Sequence, residues 1–330
     1  MIEKLKRYLP DGFIMGIIGM IVLARIVPGI GHEGSIIELS KVIKAGIALL
    51  FFFYGLKLSP ENLKNDLSNW RLHALIQVIT FLVFPLIILA FYPLLKGSSY
   101  ELLWLAVFFL AALPSTVSSS VVMVNIAGGN LPSAIFNASI SGVIGIILTP
   151  AWMSLFLDQQ ATGFEFSGVI IDLVIQILIP VTLGLIMHRW WGKWAQRNKA
   201  RISLFDKSVI LAIVYRSFSD SFTNDIFSSI PNLSLLVLGA VVISLFFLVF
   251  EGTKQLNKLL HFNREDSITV LFCGSKKSLV HGSVMVGVLF AGTTEGSLFL
   301  VPVMIYHAFQ LFYISLVARK YSREIAPSTL

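Results

Sequence analysis

The sequence predicts an all-α membrane protein of about ten transmembrane helices, and three observations carry that prediction. The first concerns solvent. Of the 330 residues, 56% are apolar and 13% charged, and mean hydropathy is +0.82. Soluble chains are typically about 45–50% apolar and about a quarter charged, so this chain has too little polar surface to dissolve. Lipid is the alternative solvent, and roughly 20 apolar residues span it as a helix. The second is segmentation. Apolar runs fall at 11–30, 36–58, 72–95, 101–127, 132–157, 165–188, 204–223, 232–251, 266–291 and 296–318. The third is the placement of charge. Eighteen of the 25 Lys and Arg lie in alternate connections or at the ends, which is the bias of cytoplasmic loops.

Taken in order, the basic positions fix an orientation. Lys4, Lys6 and Arg7 precede the first span, and Lys57, Lys64 and Arg71 lie between the second and third. The cluster from Arg189 to Lys207 separates spans six and seven. Lys254, Lys258 and Arg264 follow span eight, and Arg319, Lys320 and Arg323 follow span ten. The opposite side carries Lys96, while Arg25, Lys41 and Lys44 sit near span ends from which long side chains reach the interface. Both termini are therefore expected in the cytoplasm, with the protein in the cell (inner) membrane. Met1–Arg7 runs into span one without a small-residue cleavage site, so no cleaved leader is expected. The net charge of +7 reports topology, and no nucleic-acid partner is expected. The single cysteine, Cys273, lies inside a span, which leaves disulfides no part.

Arg189–Lys207 falls slightly past the middle of the chain. Five spans on either side would place the second half upside down relative to the first, an inverted repeat of residues 1–160 and 161–330. Spans four and nine occupy the same place in each half, and neither looks like a lipid-facing helix. Span four reads Leu113-Pro114-Ser115-Thr116-Val117-Ser118-Ser119-Ser120. Proline removes a backbone donor and clashes with the preceding turn. Five hydroxyls follow it, able to pair with freed carbonyls or face a cavity. Span nine reads Cys273-Gly274-Ser275-Lys276-Lys277-Ser278-Leu279-Val280-His281-Gly282-Ser283. A charge at the bilayer centre costs at least about 2.5–3.5 kcal/mol, so two adjacent lysines there need a protein or wet surrounding. Counterpart broken spans point to a midplane solute site, with half-helices beginning near Ser115 and Ser278 turning positive ends toward it.

The candidate solute- or ion-binding residues are Ser115, Thr116, Ser118, Ser119, Ser120, Asn137, Ser141, Ser275, Lys276, Lys277, Ser278 and His281. Each has a packing alternative. Membrane serines often bond to their own backbone or join helices, and either lysine could pair structurally. Asn137, Ser139 and Ser141 in span five correspond to His307 and Gln310 in span ten, and either set could be interhelical bonds. Arg216 and Asp220, four apart, are expected to pair on one helix face. No catalytic residue and no metal site are expected: HExxH, paired aspartates and a nucleophile elbow are absent from the sequence. A cation/proton antiporter would want a carboxylate in the broken segments, and neither has one.

PSTVSSSVV and GSKKSLVHG, with Pro180-Val181-Thr182-Leu183-Gly184 in span six and Leu148-Thr149-Pro150 closing span five, resemble the bile acid:sodium symporter family, closest to its SBF-like branch. The resemblance covers nearly the whole chain. It implies a core domain of spans three to five and eight to ten, a panel domain of spans one, two, six and seven, and helices four and nine crossing in the core. It further implies alternating-access transport of an amphipathic organic anion. Sodium-coupled members carry Ser-Asn early in span four, of which Ser120 and Val121 are the counterparts. Their span-five hydroxyls fall on Ala134 and Ala138, and their span-nine Glu and Gln fall near Phe272 and on Lys276. The sodium sites are therefore expected to be lost, with a lysine ammonium as a fixed cation in their place; proton coupling is open because a buried lysine can exchange its proton. No cofactor is expected, sodium being the doubtful one. The alternatives are a conventional sodium-coupled bile-acid-type symporter and a membrane regulator of ion homeostasis. Substrate identity and protein partners are not legible in the sequence.

Overall fold

A computed structural model describes residues 12–30, 38–57, 69–116, 118–157, 171, 174–223, 231–290 and 296–325. Met1–Arg7, Lys64 and the first part of predicted span six lie outside the described residues, as do Val117 and the side chain of Ser118. Among the described residues every regular element is helical. In chain order these are α1 (Gly12–Ile26), α2 (Leu39–Lys57), α3 (Trp70–Leu89), the short α4 (Tyr92–Leu95), α5 (Glu101–Ala112), α6 (Ser118–Ala127), α7 (Leu131–Met153) and α8 (Val174–Arg197). They continue with α9 (Lys199–Thr223), α10 (Asn232–Leu259), α11 (Arg264–Gly274), α12 (Leu279–Leu289) and α13 (Gly296–Ile325). Six of these, α2, α3, α7, α8, α10 and α13, are long and apolar enough to cross a membrane, and α5 and part of α1 are shorter apolar helices. Large apolar side chains such as Leu236, Leu248 and Leu183 are exposed on the outside, where lipid chains replace water. The chain is a multi-pass membrane protein.

The breaks come where the residues demand them. Predicted span four divides into α5 and α6 because Pro114 has no N–H and forces the preceding residue out of the helical region; Leu113 is extended at φ −68°, ψ 151°. Predicted span nine divides into α11 and α12 at Ser275–Ser278. Other ends are capped by the residue types that prefer caps. Asn130 Oδ1 accepts from the Ser133 amide at the start of α7, Asn263 Oδ1 from the Asp266 amide at the start of α11, and Ser278 Oγ from the His281 amide at the start of α12. Predicted spans eight and ten extend to Leu259 and Ile325, beyond their apolar runs. A helix satisfies its own backbone, so it continues past the lipid on polar residues. Predicted span three ends early, at Leu89, and the chain turns into α4.

The helices pack in two sets. In one, α2 lies along α8 and α9 lies along α1 and α2. Gly55 of α2 and Gly184 of α8 make the first crossing. A Cβ at Gly55 would run into the Val181 carbonyl, and one at Gly184 into the Phe52 carbonyl, so only hydrogen allows the two backbones this close. In the other set, α13 packs on α5, α6, α10 and α12, and α7 packs on α3, α5, α6 and α11. Contacts of α9 with α12 and α13 join the sets.

At one end of the second set, Asp266 gathers three asparagines. Its Oδ1 accepts from Asn130 Nδ2 at 2.8 Å and Asn69 Nδ2 at 3.2 Å, and its Oδ2 from Asn263 Nδ2 at 3.0 Å. These bonds tie the starts of α3, α7 and α11 together. Asp266→Leu is expected to lower the unfolding midpoint in detergent, at a cost of about 1–3 kcal/mol for the amides left unpaired; an unchanged midpoint would mean that water already serves those amides.

Candidate functional site: two broken helices and their lysines

Where the breaks meet, each supplies what the other lacks. A helix that ends inside protein leaves unpaired carbonyls, and one that begins there leaves unpaired amides. Ser115 Oγ donates to the Cys273 carbonyl at 2.5 Å and Ser120 Oγ to the Phe272 carbonyl at 3.4 Å, so span-four hydroxyls close the end of α11. In return the Ser278 amide donates to the Pro114 carbonyl at 2.9 Å. Ser141 Oγ accepts from the Ser115 amide at 3.0 Å, and Thr149 Oγ1 donates to the Ala112 carbonyl at 2.8 Å, both from α7. Ser275 bonds back to the Leu271 carbonyl at 2.5 Å, while its own carbonyl accepts from Tyr306 Oη at 2.8 Å. Gln310 clamps the backbone of Lys277 from both sides, accepting from its N–H at 2.9 Å and donating to its carbonyl at 2.7 Å. Ser115 and Thr116 thus belong to the extended break, and α6 starts at Ser118 rather than near Ser115.

The lysines are both fully buried but differ in surroundings. Lys277 Nζ donates to the carbonyls of Ala111 at 2.6 Å, Leu113 at 2.8 Å and Thr80 at 2.7 Å, and lies 4.1 Å from the centre of the Phe84 ring. Three acceptors require three N–H bonds, which an ammonium has and a neutral amine lacks. The first two carbonyls belong to the end of α5, where the helix dipole also favours a cation. The third is freed locally: a π-turn at Ile79–Val83 pairs the Phe84 amide with the Ile79 carbonyl, which leaves Thr80 without its helical donor. Pro85 likewise leaves the Phe81 carbonyl free, and Trp152 Nε1 takes it at 2.9 Å. Lys277 therefore serves as the cap of the crossover.

Lys276 Nζ makes one hydrogen bond among the described residues, to the Ser119 carbonyl at 2.9 Å. The same turn carries Ser119 Oγ donating to Thr116 Oγ1 at 2.9 Å, and Thr116 Oγ1 and Ser120 Oγ 2.7 Å apart. This amino group keeps donors to spare beside a run of hydroxyls. His281, on α12, sits where the two sets of helices touch. Its ring lies 6.0 Å from Phe51 and 5.9 Å from Tyr54, centre to centre, and Tyr54 Oη donates across to the Ser139 carbonyl at 2.7 Å.

Eleven of the twelve candidates therefore have described side chains, and most of those lie at or beside the crossover. Asn137 is engaged elsewhere on α7: it contacts His73 Nδ1 at 2.7 Å, donates to the Ser133 carbonyl and accepts from Gln77 Nε2 at 3.0 Å, which fastens α7 to α3. Arg216 and Asp220 approach to 3.8 Å on one face of α9, as their spacing predicts. Sequence reasoning missed Thr80, Phe84, Tyr306 and Tyr54. The one sequence signal was Pro85, whose i−4 carbonyl must find another donor; nothing in the local sequence pairs that turn with Lys277.

The sequence profile of the SBF-like CPA transporter family matches residues 11–323. The chain belongs to the SBF-like CPA transporter family. Its relatives include a protein of Escherichia coli strain K12 named "Putative symporter YfeH", 35% identical over 321 residues that cover 97% of this chain and 95% of that one. The sodium/bile acid cotransporter 7 of Mus musculus is 32% identical over 314 residues, covering 93% and 91%, and its counterpart 7-B in Xenopus laevis is 31% identical over 94% and 90%. This SBF-like protein is accordingly a membrane transporter and not an enzyme, as the absence of catalytic motifs led us to expect.

Proposed function

We propose that this SBF-like protein is a secondary transporter that moves an amphipathic organic anion by alternating access, without the sodium sites of conventional bile acid symporters. The observation that carries this reading is the pair of buried lysines in a crossover that contains no carboxylate among its described contacts. Sodium wants several oxygen ligands, anionic ones among them. A fixed ammonium in the same place repels it and already satisfies the carbonyls. We assign the two lysines different work. Lys277, with all donors committed to backbone, completes the crossover; Lys276, with one acceptor, faces the solute together with Thr116, Ser119 and the start of α6, whose dipole favours an anion.

The ten-span plan, with residues 1–160 and 161–330 as inverted halves, is part of this proposal, as are cytoplasmic termini in the inner membrane. Counting α5 with α6 and α11 with α12 as single broken spans supports it. The division into a panel of α1, α2, α8 and α9 and a core of the remaining helices is supported by the two packing sets. Alternating access would then be movement along their seam.

The test is ligand-induced thermal stabilisation of purified protein, with sodium or N-methylglucamine at fixed ionic strength. Sulfonate and carboxylate amphiphiles are expected to stabilise the wild type equally in both salts, by mass action on the native state. Lys276→Met is expected to fold and to lose that stabilisation. The names of the mouse and frog relatives support the competing reading, a sodium-coupled bile acid symporter, and strict sodium dependence would establish it instead.

A further inference from the structure

We propose that the groove at the end of α10 is a site for an anionic phospholipid, with Lys258 and His261 holding its phosphate and an acyl chain running along the helix. The groove lies apart from the crossover and does not depend on the solute reading above.

Gly252, Gln255, Leu256, Lys258, Leu259 and His261 line a groove of about 620 Å3. Gly252 helps to open it, because a Cβ there would meet nothing within 4 Å. The groove sits where the apolar run of α10 gives way to polar residues after position 251, the depth at which headgroups meet hydrocarbon. Gly252, Gln255 and Leu259 are three and four residues apart and share one face of the helix. Val241 and Leu248 stand on the same face deeper in the membrane, and both are exposed. From Val241 to Gly252 is about 16 Å of helix, roughly one leaflet of the hydrocarbon core. An acyl chain lying on Val241 and Leu248 would therefore bring its own headgroup to the groove.

The turn that ends α10 builds the polar half. His261 has φ 54° and is the one non-glycine residue with positive φ among the described residues. Around it the Leu260 amide donates to the Leu256 carbonyl at 2.9 Å, the His261 amide to the Lys258 carbonyl at 3.2 Å and the Phe262 amide to the Asn257 carbonyl at 3.2 Å. Helices commonly end in this pattern with glycine at the left-handed position. Phe262 packs against the core, and His261 is left exposed on the outside. The turn needs a positive φ, which glycine adopts at lower cost; the imidazole is an addition that the turn does not require. The same three bonds occupy carbonyls that would otherwise face an anion. The side chains of Gln255, Lys258 and His261 make no hydrogen bond or ion pair among the described residues, so their donors are open to a ligand. The neighbouring carboxylate, Glu251, is held by Lys254 Nζ at 2.6 Å. Basic groups at the membrane surface above an exposed apolar face suit an anionic headgroup above its acyl chain.

The experiment uses full-length protein in detergent, titrated with dioleoylphosphatidylglycerol or dioleoylphosphatidylcholine. Bound lipid is counted by native mass spectrometry, and the unfolding midpoint is followed in parallel. The anionic lipid is expected to bind more tightly and to raise the midpoint further. Lys258→Gln should weaken its binding about fivefold, as for one basic side chain at a membrane surface. Gly252→Leu fills the groove from a position with free space around it, so it should fold as the wild type does and lose the preference for the anionic lipid. His261→Gly should weaken that binding by a similar factor and yet raise the midpoint measured without lipid, whereas a histidine serving the turn alone would move only the midpoint. Equal binding of the two lipids by the wild type, or a preference that survives in both Lys258→Gln and Gly252→Leu, would overturn the inference. Displacement of the lipid by a molar excess of inorganic phosphate would make the groove a site for soluble anions and overturn it as well.

Discussion

Lys277→Met is expected to cost about 3–5 kcal/mol of stability, the range found when one partner of a buried charged contact is removed. The methionine fills similar space but leaves the carbonyls of Ala111, Leu113 and Thr80 without a donor, and no water reaches a fully buried site to replace it. Lys277→Arg should fare little better, because a planar guanidinium cannot aim three N–H bonds at carbonyls arranged around a compact ammonium. The measurement is the unfolding midpoint in detergent or bicelles, read beside Lys276→Met. The two neighbours are expected to separate cleanly: the first variant unstable, the second folded but unable to bind the anion. Equal stability of Lys277→Met and wild type would show that the carbonyls find other partners and that Lys277 is free to meet the solute.

Gly184→Val is expected to be as damaging, through sterics alone. The first methyl added at Gly184 collides with the Phe52 carbonyl, and one at Gly55 with the Val181 carbonyl. Backbone cannot rotate away as a side chain can, so α2 and α8 would have to separate along their whole contact. Overpacking typically costs about 1–3 kcal/mol, occasionally more, and a reciprocal backbone collision belongs at the upper end. Gly239→Ala and Gly252→Ala in α10 are the controls: nothing lies within 4 Å of a Cβ at either position, and changes at such sites usually stay within about 0.5 kcal/mol. Monodispersity and the unfolding midpoint of the three variants would decide the matter. A Gly184→Val variant matching the two controls would mean that α2 and α8 are not held this closely in the membrane.

Comparison of the crossover with its sequence shows why some of it was legible and some was not. Pro114 had to end a helix and Lys276–Lys277 had to leave the lipid, because a missing N–H and a buried charge carry penalties that no context removes. The pairing of Arg216 with Asp220 followed from helical spacing. Which serines cap α11 did not follow, because Ser115, Ser120 and Ser119 are alike as residues and differ only in partner: the first two meet carbonyls of α11 and the third meets Thr116 Oγ1. Asn137 read equally as a ligand contact or an interhelical bond, and its bonds to His73 and Gln77 lie in partners its own sequence neighbourhood does not mention.

The sequence by itself determined the solvent, the helical class, the two breaks and the family, since each depends on composition, period or local backbone chemistry. The tertiary structure decided the different roles of Lys276 and Lys277. Adjacent lysines have the same propensity and the same cost of burial; only the approach of α3 and α5, 197 and 164–166 residues away in the chain, puts three carbonyls around one ammonium and leaves the other a single acceptor.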